Sequence, residues 1–337
     1  MSVIPPIDLT PFRWRDGERL IVFGRGRLSE APDLLDEPFT LLTTSRARAL
    51  VPDLVGLAAG VHEVPAGRVD EIAGELRSRV EGALLVALGG GRVIDTAKAL
   101  AAADPPRRVV AIPTTLSGAE MTAIHRHAAG VSPETERVRP AIVLSDPALS
   151  ASQPVPDLAQ SAGNALGHAV EGPATNQAHP VSALTGLAAA QLIAQAFSAG
   201  SVEEAERDAL GLGAVLAGYS IGTSGYGLHH VVSQTLARFA GVPHGAANTI
   251  MLPHTIAALA RRRPEWNERL SAGLRANPAE LARRLLELGG LTGLQAAGVS
   301  EDELEVCAEQ AAERPELAMT PPAADAEELR ALYRAAY

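Results

Sequence analysis

One apolar run that ends in three glycines and continues as an amphipathic stretch constrains this chain more than any other feature. It reads Leu84-Leu85-Val86-Ala87-Leu88-Gly89-Gly90-Gly91-Arg92-Val93-Ile94-Asp95-Thr96-Ala97-Lys98. Glycines let a backbone turn sharply and come close to a pyrophosphate without side-chain clash. The helix that follows offers unpaired N–H groups and a favourable dipole to an anion. Asp95 and Lys98, three residues apart, share a helix face near the turn and are expected to reach ribose or phosphate. A glycine turn needed only for packing is the competing reading. The strand–glycine–helix context favours phosphate binding.

The surrounding pattern agrees with that turn. Between residues 18 and 150, β-rich runs at 19–23, 39–44, 61–64, 82–88, 108–112 and 141–145 alternate with helical spacing at 28–35, 47–58, 68–80 and 93–102. Such alternation predicts a mostly parallel, doubly wound sheet of Rossmann-like type, with ligands beyond the carboxyl ends of its strands. After Asp146-Pro147 the strands stop. Helices are predicted at 183–199, 201–219, 277–288, 300–314 and 325–336, the third and last opening on Asn-Pro and Asp-Ala-Glu-Glu start signals. The reading is therefore two domains: residues 1–150, a dinucleotide-binding α/β domain, and residues 151–337, an all-helical catalytic domain.

Composition excludes some classes. The 337 residues carry a formal net charge of −10, which argues against a general nucleic-acid binder, whose affinity comes from neutralising phosphates. The single cysteine, Cys307, leaves no intramolecular disulfide and no thiolate cluster, and a buried small hydrophobe is the expected role. The N-terminal stretch lacks a basic segment followed by an apolar run, and the alanine-rich stretches are too broken to span a membrane. The expected compartment is the cytoplasm, with no nucleic-acid or membrane partner.

Two further loops belong to the nucleotide side. In Ile112-Pro113-Thr114-Thr115-Leu116-Ser117-Gly118, a strand ends in hydroxyls, and Thr114, Thr115 and Ser117 can hydrogen-bond a nicotinamide amide or a phosphate. A polar turn capping the next element is the alternative. In Thr43-Thr44-Ser45-Arg46, no carboxylate stands where sites selective for a free ribose 2′-hydroxyl place one. Thr44 and Arg46 therefore point to tolerance of NADPH beside NADH, although Arg46 also reads as a solvated helix charge. His125 and His127 either extend an anion pocket or lie on the surface.

The helical half carries the histidine signal. Asn164 and His168 stand at i and i+4 on one helix face, Gly227-Leu228-His229-His230 follows, and then Pro243-His244-Gly245. Three histidine-bearing segments rich in small residues suggest one cleft. Neutral imidazoles suit zinc, iron or copper, and three with one oxygen ligand make a normal catalytic site.

In order, these motifs resemble the iron-containing alcohol dehydrogenase superfamily over nearly the whole chain, and within it the maleylacetate reductases. The second likeness leans on Ser117-Gly118-Ala119-Glu120-Met121-Thr122, the His229-His230 doublet and Asn164. The resemblance implies the dehydroquinate synthase-like fold, a homodimer, and Asn164, His168, His230 and His244 at the positions of the metal ligands. There, Asn164 replaces an aspartate and Gln234 replaces a histidine that resembles a proton relay, with His229 an uncertain substitute. An amide compensates less cation charge, so a bound iron or zinc ion is expected to be weak or absent. His168, His230 and His244 are then the catalytic candidates, as protonated imidazoles that bind substrate carboxylates and stabilise an enolate formed by hydride addition to an acidic enone such as maleylacetate. A metal-dependent alcohol dehydrogenase or aldehyde reductase, and a nucleotide-binding protein without catalysis, are the two alternatives.

Overall fold

The computed structural model describes residues 7–197 and 206–337. The chain divides into two compact units, Asp8–Gln153 and Pro154–Tyr337, each taken by itself. The expected helices at 183–199 and 201–219 run partly through 198–205, and that portion lies outside the described residues.

The first unit is a seven-stranded sheet: β1 Phe12–Asp16, β2 Arg19–Phe23, β3 Phe39–Thr43, β4 Gly60–Glu63, β5 Leu84–Gly89, β6 Arg108–Pro113 and β7 Ile142–Ser145. Their spatial order is β1-β2-β7-β6-β5-β3-β4, all pairs parallel except β1 with β2. The chain runs from β3 outward to β4, then returns to the other side of β3 with β5. The order therefore reverses between β3 and β5, and a crevice opens outside the carboxyl ends of neighbouring strands at such a point. Alternate residues of β5 serve opposite faces. Leu85 and Ala87 pack with Ile72, Val93 and Ala97 from helices α1 (Val69–Leu76) and α2 (Gly91–Ala103). Leu84, Val86 and Leu88 pack with Ala47 and Leu54 on the other face. Both faces are covered, which is why the strand reads as one unbroken apolar run.

Strand β1 was not expected from the sequence. Its Phe-Arg-Trp-Arg-Asp alternation matches its alternating burial as an edge strand, paired Phe12 to Phe23. Beyond β6, residues 114–141 carry no regular element.

The second unit is helical throughout its described residues. Its long helices are α3 Val155–Glu171, α4 Pro180–Ala196, α5 Arg207–Ser224, α6 Leu228–Phe239, α7 His244–Arg262, α8 Pro264–Leu274, α9 Pro278–Leu288, α10 Glu301–Ala312 and α11 Ala326–Ala335. The start signals work as read: the Asn277 and Asp325 side chains cap α9 and α11, and Ser300 with Glu303 forms a capping box on α10. Helix α3 is the centre of the unit, buried along most of its length. Its glycines set how near the neighbours come. A Cβ at Gly163 would lie 2.3 Å from Thr249 Oγ1 of α7, and one at Gly167 would lie 2.4 Å from His229 Nε2 of α6. Cys307 is fully buried in α10. Among the described residues no helix is long and apolar enough to cross a membrane.

Candidate active site

The α/β unit gathers its candidate residues at the reversal point. Thr44 follows β3, and the adjacent β5 ends on Gly89, with Gly90 and Gly91 next. Gly90 is the N-cap of α2 and has no side chain to cap the first turn; the N–H groups of Val93 and Ile94 bond Gly90 O at 3.0 and 3.2 Å, which leaves those of Gly91 and Arg92 to face an anion. Each glycine has a separate steric reason. A Cβ on Gly89 would lie 2.6 Å from Val93 Cγ2, on Gly90 3.0 Å from Thr115 Cγ2, and on Gly91 3.1 Å from Ser117 Cβ. The glycine turn and the hydroxyl loop are therefore in contact, with Thr114 held by its N–H to Gly89 O at 2.9 Å. The Thr44 hydroxyl is spent locally, accepting from Ala47 N–H as the cap of helix Ser45–Leu50, while Arg46 is exposed.

Lys98 corrects the expectation that it reaches ribose or phosphate. Its side chain is fully buried and donates to the carbonyls of Ala119, Thr122 and Ile124 at 2.8, 3.1 and 2.9 Å. Asp95 Oδ1 lies 2.8 Å from the same ammonium. Lys98 thus pins the segment that follows the hydroxyl loop, and Asp95, partly exposed, is its counter-charge. Glu120 is buried nearby, and burial pushes its carboxyl up to about 7 despite Lys98 and Arg19. His125 corrects the surface and anion-pocket readings alike. It is buried, its Nδ1 bonds Arg126 O at 2.9 Å, and its Nε2 accepts from Val138 N–H at 3.3 Å. Both ring nitrogens are therefore used in holding the 124–138 segment, with His127 edge-on at 5.6 Å between ring centroids.

In the helical unit, α3 and α6 bring the histidines together. The His168 and His230 rings stack at 4.7 Å with an interplanar angle of 21°. Beneath them lies Glu171, fully buried at the last turn of α3, to which the sequence reading gave no role. Its carboxylate accepts from the backbone N–H of His229 at 2.5 Å, that of His230 at 3.2 Å, and His230 Nδ1 at 2.6 Å. One side chain so caps α6 and fixes the tautomer of His230, whose buried Nε2 has no hydrogen-bond partner. A signal for it existed: a carboxylate at a helix C-terminus opposes the dipole and calls for a partner elsewhere.

The electrostatics correct the expectation of protonated imidazoles in the free site. Burial pushes His230 down to about 3, with His244 adding to the shift, and burial with both neighbouring histidines drives His168 well below its ordinary value. The imidazoles are neutral near pH 7. His229 is likewise pushed down to about 3 by burial, and its Nδ1 bonds Thr255 Oγ1 at 2.8 Å, turned away behind Gly167.

The donor set tests poorly as a cation site. Asn164, His168, His230 and His244 carry no compensating negative charge, and His244 Nε2 stands 3.2 Å from Asn248 Nδ2 of its own helix. Among the described residues no group of three or more His, Cys, Asp or Glu side chains is arranged to hold a metal ion. A cation would meet neutral donors only, His230 being backed on Nδ1 by Glu171 and His244 bonded within its own helix.

Gln234, one turn beyond His230 on α6, accepts from Arg314 Nη2 at 3.1 Å. Arg314 also reaches Tyr226 Oη at 3.3 Å and pairs with Glu316 at 2.9 Å. The Tyr226 ring lies 5.9 Å from that of His230. Arg314 and Glu316 are distant in sequence from the histidine motifs, and Tyr226, which directly precedes Gly227-Leu228-His229-His230, was given no role there.

A sequence signature of the iron-containing alcohol dehydrogenases matches residues 19–147, and the C-terminal signature of the same family matches residues 158–337. Maleylacetate reductase 1 of Rhodococcus opacus is 31% identical over 318 residues, covering 88% of each chain. The crystal structure of maleylacetate reductase from Agrobacterium tumefaciens superposes with a TM-score of 0.82 at 26% identity, covering 99% of each chain. That of an iron-containing alcohol dehydrogenase from Thermococcus thioreducens gives 0.80 at 25% identity, covering 95% of this chain and 98% of the other.

Proposed function

Because the chain belongs to the iron-containing alcohol dehydrogenase family, and is thereby an NAD(P)-dependent oxidoreductase, we propose that it reduces an acidic enone of the maleylacetate type to the saturated 3-oxo diacid. The observation that carries this reading is Asn164 in place of a carboxylate beside neutral, buried imidazoles. An aspartate there would repel a dianionic substrate and oppose the charge its reduction creates; an amide does neither.

In this mechanism the Gly89–Gly91 turn would hold the pyrophosphate of the dinucleotide, and the hydroxyls of Thr114, Thr115 and Ser117 would bond the cofactor. The nicotinamide supplies the hydride. It adds to the alkene carbon β to the ketone, and the displaced electron pair moves onto the ketone oxygen as an enolate. His230 meets that oxygen. The dianionic substrate draws a proton onto Nε2, and the Glu171 carboxylate on Nδ1 stabilises the imidazolium that results, as a buried acid does for a catalytic histidine. His168, stacked on His230, and His244 complete the polar surface. A solvent proton then adds to the carbon α to the ketone, so one hydride and one proton are consumed per turnover. No cation enters the scheme.

Steady-state oxidation of NADH and of NADPH with maleylacetate, beside simple aldehydes, tests the reading. Turnover of maleylacetate and not of aldehydes is expected, with NADPH accepted because Arg46, not an acid, follows β3. Turnover confined to aldehydes contradicts it.

A further inference from the structure

The Arg314 guanidinium is held with unusual completeness for a side chain that is still 25% exposed. Nε donates to Glu316 Oε2 at 3.0 Å, and Nη2 faces Glu316 Oε1 at 2.9 Å, Gln234 Oε1 at 3.1 Å and Tyr226 Oη at 3.3 Å. Among the described residues Nη1 makes no hydrogen bond, so its two N–H groups are the part left over. Two of the holding groups tie this arginine to the histidine cluster. Gln234 stands four residues after His230 on α6, and residues at that spacing share a helix face. The Tyr226 ring stands beside that of His230. Gln234 is a neutral acceptor, so it orients the guanidinium without cancelling its charge. A planar, oriented guanidinium with free N–H groups is a receptor for carboxylate.

We propose that Arg314 is the specificity-determining residue that receives the acetate-arm carboxylate of a 4-oxo-2-enedioate substrate, an assignment that rests on the reductase reading above. The chemistry of that substrate selects which carboxylate. One sits on the carbon that accepts the hydride and must stay with the nicotinamide. The other lies on the opposite side of the ketone, whose oxygen His230 meets, and Arg314 is the cation that Gln234, one turn on from His230, and Tyr226, beside its ring, hold next to that histidine. Glu316 shares the positive charge, so the contribution is that of one charge-assisted contact and not of a bare cation.

The test pairs maleylacetate with 4-oxopent-2-enoate, the same enone acid without the acetate-arm carboxylate, in the wild type, Arg314→Lys and Arg314→Gln. Arg314→Gln is expected to lower kcat/KM for maleylacetate about tenfold or more, chiefly through KM. It should leave 4-oxopent-2-enoate unchanged, which also shows that the variant folds. Arg314→Lys keeps the charge opposite Glu316 and should fall between. Equal loss on both substrates, or no loss on maleylacetate, overturns the assignment. Calorimetric titration with unreactive adipate and hexanoate separates the two readings. If the wild type reduces neither acid yet Arg314→Gln loses its preference for adipate, the carboxylate anchor stands and the reductase reading falls. If the wild type reduces maleylacetate and the variants match it in rate and binding, the anchor falls alone.

Discussion

Glu171 joins sequence to chemistry most directly at the level of single residues. It is fully buried, caps α6 through two backbone N–H groups, and sets which nitrogen of His230 faces the site. Glu171→Gln keeps the shape but removes the charge that would support an imidazolium. Activity is expected to fall on the order of 100-fold or more, because the imidazolium loses its buried counter-charge. Circular dichroism should remain that of the wild type, and the pH–rate profile of kcat/KM should lose its acidic limb or shift it. Unchanged activity would remove His230 from the mechanism. The sequence displayed the imidazoles and Asn164 because helical spacing is local: i and i+4 place two side chains on one face whatever the rest of the chain does. It did not display Arg314 or Glu316 near Tyr226, because those contacts cross 80 to 90 positions. Lys98 was misread for a related reason. Its position on α2 was legible, but the carbonyls that consume its N–H groups come from a segment more than twenty residues away.

Among the elements, the irregular segment after β6 carries the clearest pH dependence. Burial raises Glu120 to about 7 from 4.5, so the folded unit holds that proton more tightly than the unfolded chain does. Its contribution is favourable below pH 4.5 and is lost as pH rises through 7, by on the order of 3 kcal/mol. His125 has the opposite slope. Burial lowers it to about 4 from 6.5, so its contribution is present above pH 6.5 and is lost as pH falls toward 4. Glu120→Gln removes only the first effect. Urea unfolding should find this variant gaining on the wild type between pH 5 and pH 8; a difference independent of pH would place the Glu120 proton elsewhere. This segment was the least legible part of the fold, since it has no periodicity and is organised by a buried lysine, an arginine and a histidine bonding backbone carbonyls. The strands buried on both faces were legible as apolar runs, as β5 shows. Edge strand β1 carried the right alternation, but five residues near a chain end make a weak pattern beside it.

At the level of the molecule, the proposed reading gives each of the two units its own part. The α/β unit has a phosphate-ready turn at the reversal of its strand order, and the helical unit has a neutral imidazole cluster backed by one buried carboxylate. Family membership supplies the nicotinamide chemistry, and in the proposed function Asn164 and Gln234 of the helical unit direct it to an acidic enone. In the proposed function the cluster stabilises an enolate without a cation. The direct measurement is maleylacetate-dependent NAD(P)H oxidation by the purified protein before and after exhaustive chelation, with iron and zinc determined on the same samples. Turnover is expected to be unchanged once the metal content falls far below one ion per chain. Turnover that disappears with the metal and returns on adding iron or zinc would contradict it, and would return His168, His230 and His244 to the role of ligands.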